Sequence, residues 1–440
     1  MALKFSISGM RGLVDKDLNP DVVFKYAYSF GRFVKPGSIV IGRDTRQSGK
    51  IYCKTVVRAL SAAGHPVVDL GIVPTPTVLF MVRRLKAKGG MVITASHNPV
   101  QWNALKFVSS KGVFLNETEF TRFSGRIIET EDAKGRKKEN VNSYKSALKE
   151  HIDAIVEAVE PLGAPFRVGV DAVNGAGSIG LPLLLEEIGC RVFRLNCRFA
   201  PVFPRKPEPT KENIVSLSRF VRNRGLDVGF ACDPDCDRLA VVDERGRPIG
   251  EENTLVLAAD YILTHKRGSV VTNLSTTRLM EDIAGKHGVS LYRTRVGEAN
   301  VVSEMKERAA VIGGEGNGGV IYPKINYTRD AMVGAALIIR MLSERGVRMS
   351  QIMDSYPKYH MLKKKVKIGM GDFEERKEAV IDAFDGRLDL SDGLKIIGDR
   401  YWIHIRPSQT EDVVRIIGES RDRQQIEDFI ARVRGILCPE

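Results

Sequence analysis

Three carboxylates stand at alternate positions in Asp233-Pro-Asp-Cys-Asp-Arg238. Confined to one tight turn, Asp233, Asp235 and Asp237 repel one another unless a cation neutralises them. Their hard oxygen donors suit Mg2+, which completes its octahedron with waters and phosphate oxygens. An EF-hand counted from Asp233 would place Glu244 correctly, but it puts Arg238 where such a loop needs Gly, and Leu239–Val242 reads as a strand. A solvated acidic turn does not explain an Asp-x-Asp-x-Asp run between two apolar strands. A second polar segment, Thr94-Ala-Ser-His-Asn-Pro99, follows the strand Gly90–Ala95, at the end where α/β folds place their chemistry. As a hydrolase nucleophile, Ser96 lacks the Gly-x-Ser-x-Gly elbow. Its neighbour His97 is expected to diverge from it rather than form a dyad. Alone, this segment also reads as a plain turn.

Three further segments carry polar or glycine-rich patterns. In Gly314-Glu-Gly-Asn-Gly-Gly319 the glycines allow backbone to approach a ligand, and Glu315 and Asn317 offer hydrogen bonds to hydroxyls; a flexible hairpin is the alternative. Arg406-Pro-Ser-Gln-Thr-Glu411, with Arg415 beyond, offers guanidinium groups, hydroxyls and backbone N–H groups for a phosphate, or else an ordinary Pro-containing turn. Gly175-Ala-Gly-Ser-Ile-Gly180 matches the dinucleotide fingerprint, but the next strand, Arg191–Leu195, ends in Asn196 and Cys197 with no carboxylate for a ribose. These glycines therefore read as close helix–strand packing.

The elements that must position these residues alternate. Strands Ser38–Gly42, Pro66–Leu70 and Gly90–Ala95 are separated by helices Lys50–Ala63 and Thr75–Leu85. The pattern restarts at Arg167–Val173 and again at Asn253–Thr264, and it continues to the helix Asp330–Glu344. Short β-branched strands between amphipathic helices predict α/β units with mostly parallel sheets, three in succession. The remainder differs: short strands from Lys363 to Ile417, with helices Phe373–Phe384 and Arg423–Arg434, predict a smaller α+β domain.

A chain of 440 residues has room for about two to four domains. The excess of 67 basic over 54 acidic side chains, +13, falls within residues 1–150, and the rest of the chain is balanced. The dense basic run Lys134–Lys138 lacks interleaved aromatics, so a basic face or an anionic small-molecule site is expected rather than nucleic acid. No run reaches the ~18 apolar residues of a membrane helix, no leader pattern is present, and the six cysteines form no CxxC pair. Reduced thiols and a cytoplasmic protein are the expectation.

Taken together and in this order, the motifs resemble those of the α-D-phosphohexomutase family over essentially the whole chain. Ser8-Gly-Met-Arg-Gly12 and Gly42-Arg-Asp-Thr-Arg46 are similar to first-domain motifs of that family. The resemblance implies three similar mixed α/β domains and a smaller C-terminal α+β domain around a central cleft. Their spans would be 1–148 (phosphoserine loop), 149–248 (magnesium loop), 249–360 (sugar loop) and 361–440 (distal phosphate loop). It also implies phosphoryl transfer between O1 and O6 of a hexose phosphate through a 1,6-bisphosphate, with Ser96 carried as phosphoserine. Ser96, Asp233, Asp235 and Asp237 would hold Mg2+. Arg11, Lys106 and Arg238 would surround the reacting phosphate, with Lys106 and then His97 in proton transfer. Glu315, Gly316, Asn317 and Gly318 would meet the sugar, and Arg406, Ser408, Gln409, Thr410 and Arg415 the distal phosphate.

The sequence departs from common family patterns at Trp102-Asn-Ala104, Gln409 and Asp412. Asn317 and Gly319 stand where many bacterial relatives carry Ser and His. The loop looks more like that of archaeal phosphoglucosamine mutases, so glucosamine phosphate is the expected substrate, ahead of glucose or mannose phosphate. A Mg2+-dependent phosphosugar phosphatase is the expectation from outside the family. The protein would be a monomer or homodimer.

Overall fold

A computed structural model describes residues 3–129, 138–162, 165–408 and 413–438. Gln409 and Thr410, and most of the basic run Lys134–Lys138, lie outside the described residues. The first sheet holds β1 (Lys4–Ser6), β2 (Gly9–Leu13), β3 (Ile39–Arg43), β4 (Val67–Ile72), β5 (Gly89–Ile93), β6 (Trp102–Ser109) and β7 (Val141–Ser143), in the order β1-β2-β6-β5-β3-β4-β7. The second holds β8 (Arg167–Asp171), β9 (Arg191–Leu195), β10 (Val228–Cys232) and β11 (Leu239–Asp243). The third holds β12 (Val270–Asn273), β13 (Leu291–Thr294), β14 (Ile312–Glu315) and β15 (Gly319–Ile321).

One topology underlies all three. In each, the first strand lies between the second and third in parallel, and the fourth returns antiparallel beside the third: β4-β3-β5-β6, β9-β8-β10-β11 and β13-β12-β14-β15. The three predicted α/β units are therefore present, and the second and third sheets are mostly parallel as expected, each with one antiparallel pair, while the first sheet has parallel and antiparallel pairs in equal number. β1 and β2 extend the first sheet beyond β6 as antiparallel neighbours, and β7 pairs parallel with β4 at the other edge. The connection between the third and fourth strands of each unit is short. It carries Ser96 in the first sheet, the three aspartates in the second and Glu315–Gly318 in the third.

The last unit is the expected α+β domain. β16 (His360–Val366), β17 (Arg387–Asp389), β18 (Leu394–Ile397), β19 (Tyr401–Pro407) and β20 (Val414–Ser420) form an antiparallel sheet in the order β16-β20-β19-β18-β17. The helices Met370–Asp382 and Arg423–Leu437 contribute Phe373, Val380, Ile426 and Ile430 to its own core. It docks on the third unit through polar contacts: Glu419 accepts from Thr277 Oγ1 and Arg278 N (2.5 and 2.6 Å), and Ser275 Oγ meets His404 Nδ1 at 2.8 Å. The helix Leu279–His287 begins just after Thr277 and Arg278, which serve this contact.

The second and third units share one continuous core, in which the helix Ala331–Arg345 is buried along most of its length. Asp330 caps that helix by accepting from Met332 N and Val333 N, and Gly346 ends it at φ +60°. Asp330 also faces the buried His151 Nε2 at 3.0 Å. No helix among the described residues is long and apolar enough to cross a membrane.

The Gly175–Gly180 segment packs mainly against the aspartate loop rather than a strand. A Cβ on Gly175 would lie 2.5 Å from the Pro234 carbonyl oxygen, and one on Gly177 2.8 Å from the thiols of Cys232 and Cys236. Gly175→Ala should therefore lower stability by about 1–3 kcal/mol. Gly285→Ala, in a helix with nothing within 4 Å of the added carbon, should raise it by about 0.5–1 kcal/mol. Urea unfolding of the two variants reads both signs; equal effects would contradict the packing account.

Candidate active site and cation centre

The aspartate loop is buried against three units at once. Asp233, Asp235 and Asp237 are each no more than 1% exposed. From the first unit, Ser96 Oγ donates to Asp233 Oδ2 (2.8 Å), while Thr75 Oγ1 and Lys106 Nζ donate to Asp235 Oδ2 (2.7 and 2.8 Å). From the second, Ala176 N donates to the Pro234 carbonyl, and Arg205 joins Asp171 Oδ2 (2.9 Å) to the Cys232 carbonyl (2.8 Å). From the third, Arg329 donates to Asp237 Oδ2 at 2.7 Å.

The donor set fits a divalent cation. One oxygen from each carboxylate lies within 4.8 Å of the others. Asp235 Oδ1 and Asp237 Oδ1 are buried with no hydrogen-bond partner, an arrangement that is costly without a cation. Burial, then the charges of Asp235 and Asp237, push the Asp233 carboxyl well above the usual carboxylate range. Burial would raise Asp235 as well, but Lys106 beside it holds its carboxyl below that range.

Ser96 sits in the left-handed region at φ +49°, a strained setting that aims its side chain at the aspartates. A clamp from Gly42–Arg46 holds it. Thr94 Oγ1 accepts from Ser96 N (2.9 Å) and donates to Asp44 Oδ2 (2.7 Å), while the fully buried Arg46 pairs with Asp44 and donates to the carbonyls of Ser96 and Asn98. His97 does not diverge fully: its Nδ1 lies 3.5 Å from Ser96 Oγ, although the serine proton points to Asp233. Burial, then Arg238 and Arg11, hold the His97 imidazole well below its usual range, so it is neutral at pH 7. Arg11, on β2, donates to Asn98 Oδ1, and Arg238 donates to Glu208 Oε1 at 3.0 Å. Burial, then Arg238, lowers the Arg11 guanidinium to about 10. This concentration of positive charge around one serine suits a phosphate dianion.

The cleft in front of these groups measures about 2360 Å³. It brings Ser96, His97, Lys106, Arg11 and Arg238 together with Glu315, Gly316 and Asn317 and with Arg406, Ser408 and Arg415. Glu315 accepts from Asn273 Nδ2 (2.9 Å), Gly297 N (3.1 Å) and Arg329 (3.1 Å); burial would raise its carboxyl, but Arg329 holds it below the usual range. Asn317 Oδ1 is buried without a hydrogen-bond partner. Gly318, at φ +88°, packs on β11: Leu239 N donates to its carbonyl, and a Cβ there would fall 2.3 Å from the Leu239 oxygen. Opposite, Arg406 and Arg415 are direct partners across β19 and β20, and Lys365 pairs with Arg415 across β16. Like charges aligned on one sheet face are unfavourable alone and suit a bound dianion. Lys365 sits inside the run Lys363-Lys-Lys-Val-Lys367, which does not single it out. Arg329, Glu298 and Arg205 carry no local motif, because their partners come from distant parts of the chain.

Comparison with known proteins agrees with this architecture. Models of phosphoglucomutase/phosphomannomutase α/β/α domains I, II and III match residues 2–134, 143–246 and 251–359, and the C-terminal domain model matches 371–436. The chain is 35% identical to a phosphoglucomutase/phosphomannomutase of Thermococcus kodakarensis, over 98% of this chain and 97% of that protein. It is 34% identical to a probable phosphoglucosamine mutase of Pyrococcus abyssi (99% and 98%) and 30% to a phosphoglucosamine/phosphogalactosamine mutase of Sulfurisphaera tokodaii (99% of each). A crystal structure of a putative phosphomannomutase from Thermus thermophilus shares the fold, with TM-score 0.86 at 23% identity over 99% of each chain. The chain belongs to the phosphoglucomutase/phosphomannomutase family of α-D-phosphohexomutases, which are magnesium-dependent isomerases.

Cation binding is directly measurable. Calorimetry with Mn2+ should find a site that Asp235→Asn weakens by about tenfold or more, and Mg2+ should raise the melting temperature of the wild-type protein only. Equal Mn2+ binding by the folded variant would remove the aspartates from the cation site.

Proposed function

We propose that this protein interconverts the 1- and 6-phosphates of a hexose, with glucosamine phosphate the favoured substrate and glucose or mannose phosphate next. The observation that carries the reading is one cleft with two phosphate-seeking ends: Ser96 hydrogen-bonded to the aspartate cluster, and the aligned Arg406 and Arg415. A substrate phosphorylated at one end and reacting at the other fits that pair.

In this reading Ser96 carries a phosphoryl group. It passes to the free hydroxyl of a hexose monophosphate: the Oγ–P bond breaks and the sugar O–P bond forms, with Lys106 and then His97 in the proton transfer, the neutral imidazole able to accept the hydroxyl proton and the Lys106 ammonium able to supply one to the leaving Oγ. The resulting 1,6-bisphosphate turns over within the cleft and returns its other phosphoryl group to Ser96. Asp233, Asp235, Asp237 and the serine phosphate would hold magnesium, which would supply positive charge to offset that on the transferring group. Arg11 and Arg238 hold the reacting phosphate. Arg406, Ser408 and Arg415, with Gln409 and Thr410 of the same loop, hold the distal one. Glu315 and Asn317 read sugar hydroxyls in either orientation. The glucosamine preference is supported by the loop Gly314–Gly319 and by the names of the Pyrococcus and Sulfurisphaera relatives.

Phosphorus NMR with Mg2+ and a trace of hexose 1,6-bisphosphate tests this, with the 1-phosphates of glucosamine, glucose and mannose supplied separately. Conversion to 6-phosphate is expected, fastest for glucosamine and absent in Ser96→Ala, while Arg415→Met should raise KM about tenfold or more. Release of inorganic phosphate alone would make the protein a phosphatase, and no change in any sugar would sink the mutase reading.

A further inference from the structure

We propose that Arg329 is a positioning residue that links occupancy of the cation site to the readiness of the sugar-reading loop, an inference that rests on the function proposed above. Its guanidinium is shared among three carboxylates from three places in the chain. Nε donates to Glu298 Oε2 (3.0 Å), one terminal nitrogen to Glu315 Oε2 (3.1 Å) and the other to Asp237 Oδ2 (2.7 Å). All three carboxylates are buried or nearly so. Because the guanidinium is planar and rigid, its three contacts cannot be adjusted independently. A shift of Asp237 moves the fork, and the fork moves Glu315.

The anchoring of Arg329 confines this transmission to its side chain. Its backbone N–H donates to Glu298 Oε1 (3.1 Å), and the next residue, Asp330, donates from its own N–H to the Val320 carbonyl while its side chain caps the buried helix Ala331–Arg345. The main chain is thus fixed, and the fork is the part left to respond. Asp237 turns one oxygen to Arg329 and leaves Oδ1 without a hydrogen-bond partner, so one carboxylate serves both the cation site and the fork.

Gly319 is the counterpart of Arg329. A Cβ at position 319 would lie 2.2 Å from Arg329 Cδ and 2.7 Å from Cγ, so the arginine stem passes through space that only glycine leaves open. The present course of the arginine stem therefore depends on the unusual glycine at the end of the sugar loop. Removing the guanidinium would leave Asp237, Glu298 and Glu315 together without their shared counterion, which disturbs both sites.

The test uses the full chain in a Ser96→Ala background, which the proposed mechanism makes unable to turn over. Mn2+ affinity is measured by calorimetry with and without saturating glucosamine 1-phosphate or glucose 1-phosphate, and the sugar phosphate affinity with and without Mn2+. Linkage requires the two ratios to agree; a ratio of about fivefold or more is expected. Adding Arg329→Lys, which keeps the charge but not the fork, should weaken Mn2+ about tenfold and bring the ratio toward one. Gly319→Ala, which keeps the guanidinium but displaces its stem, should move both quantities the same way; thermal melting confirms that each variant is folded. Unchanged Mn2+ affinity and ratio in folded Arg329→Lys overturn the inference, as does a ratio of one in the background protein. If instead wild-type protein converts no hexose phosphate by phosphorus NMR, the proposed function fails, and the Mn2+ arm still decides whether Arg329 positions the cation site.

Discussion

Packing three carboxylates into five residues and then burying them is the constraint on which this molecule is built. Such a cluster repels itself in water and is far less favourable in a protein interior. The aspartate loop survives because hydrogen-bond donors reach it from every side: Ser96, Thr75 and Lys106 from the first unit, backbone N–H groups and Arg205 from the second, Arg329 from the third. No single α/β unit could supply these. The shared core between the second and third units, and the close approach permitted by Gly175 and Gly177, follow from the need to hold that loop where the donors converge.

The repeated topology explains how the parts arrive together. Each α/β unit ends its parallel strands on a short connection to an antiparallel fourth strand, and the three connections carry the serine, the aspartates and the sugar-loop glutamate. One architectural position, used three times, places three different chemistries at one cleft. The connections are also stitched directly, because Leu239 N, just after the aspartates, donates to Gly318 in the sugar loop. The fourth unit departs from the repeat: its antiparallel sheet aligns Lys365, Arg415 and Arg406 across three neighbouring strands, which a parallel unit with connecting helices would not present in a row.

Much of this was legible in the sequence, and the rest was not for identifiable reasons. Central strands such as Ser38–Gly42, found as Ile39–Arg43, and Gly90–Ala95, found as Gly89–Ile93, read as short apolar runs and appear close to the expected places, because burial on both faces leaves an unbroken apolar signal. β1 and β2, and the eight-residue β6 that carries Lys106, did not read as strands. Their sequences mix charges and small residues, since one end of each serves the cleft. The aspartates, Ser96 and the sugar-loop residues were legible because each lies in a compact local pattern. Arg329, Arg205 and the Asp44–Arg46 pair gain their meaning from partners far away in sequence, and no local spacing reveals a guanidinium shared by residues 237, 298 and 315.

The distribution of charge also acquires a physical meaning. The positive excess of residues 1–150 includes Arg11, Arg46 and Lys106, and these act differently. Arg46 is spent internally on Asp44 and the carbonyls around Ser96. Lys106 is held by Asp235, and Arg11 faces the cleft. Opposing them are buried carboxylates that would dominate the potential if left alone. In the function proposed above, a divalent cation among the aspartates would shift the balance toward positive, and the cleft would then attract phosphate at the serine as well as at Arg406 and Arg415. On that reading the acidic cluster and the cationic walls are parts of one electrostatic design, in which buried negative charge would hold a cation and the cation would make the serine end receptive to an anion.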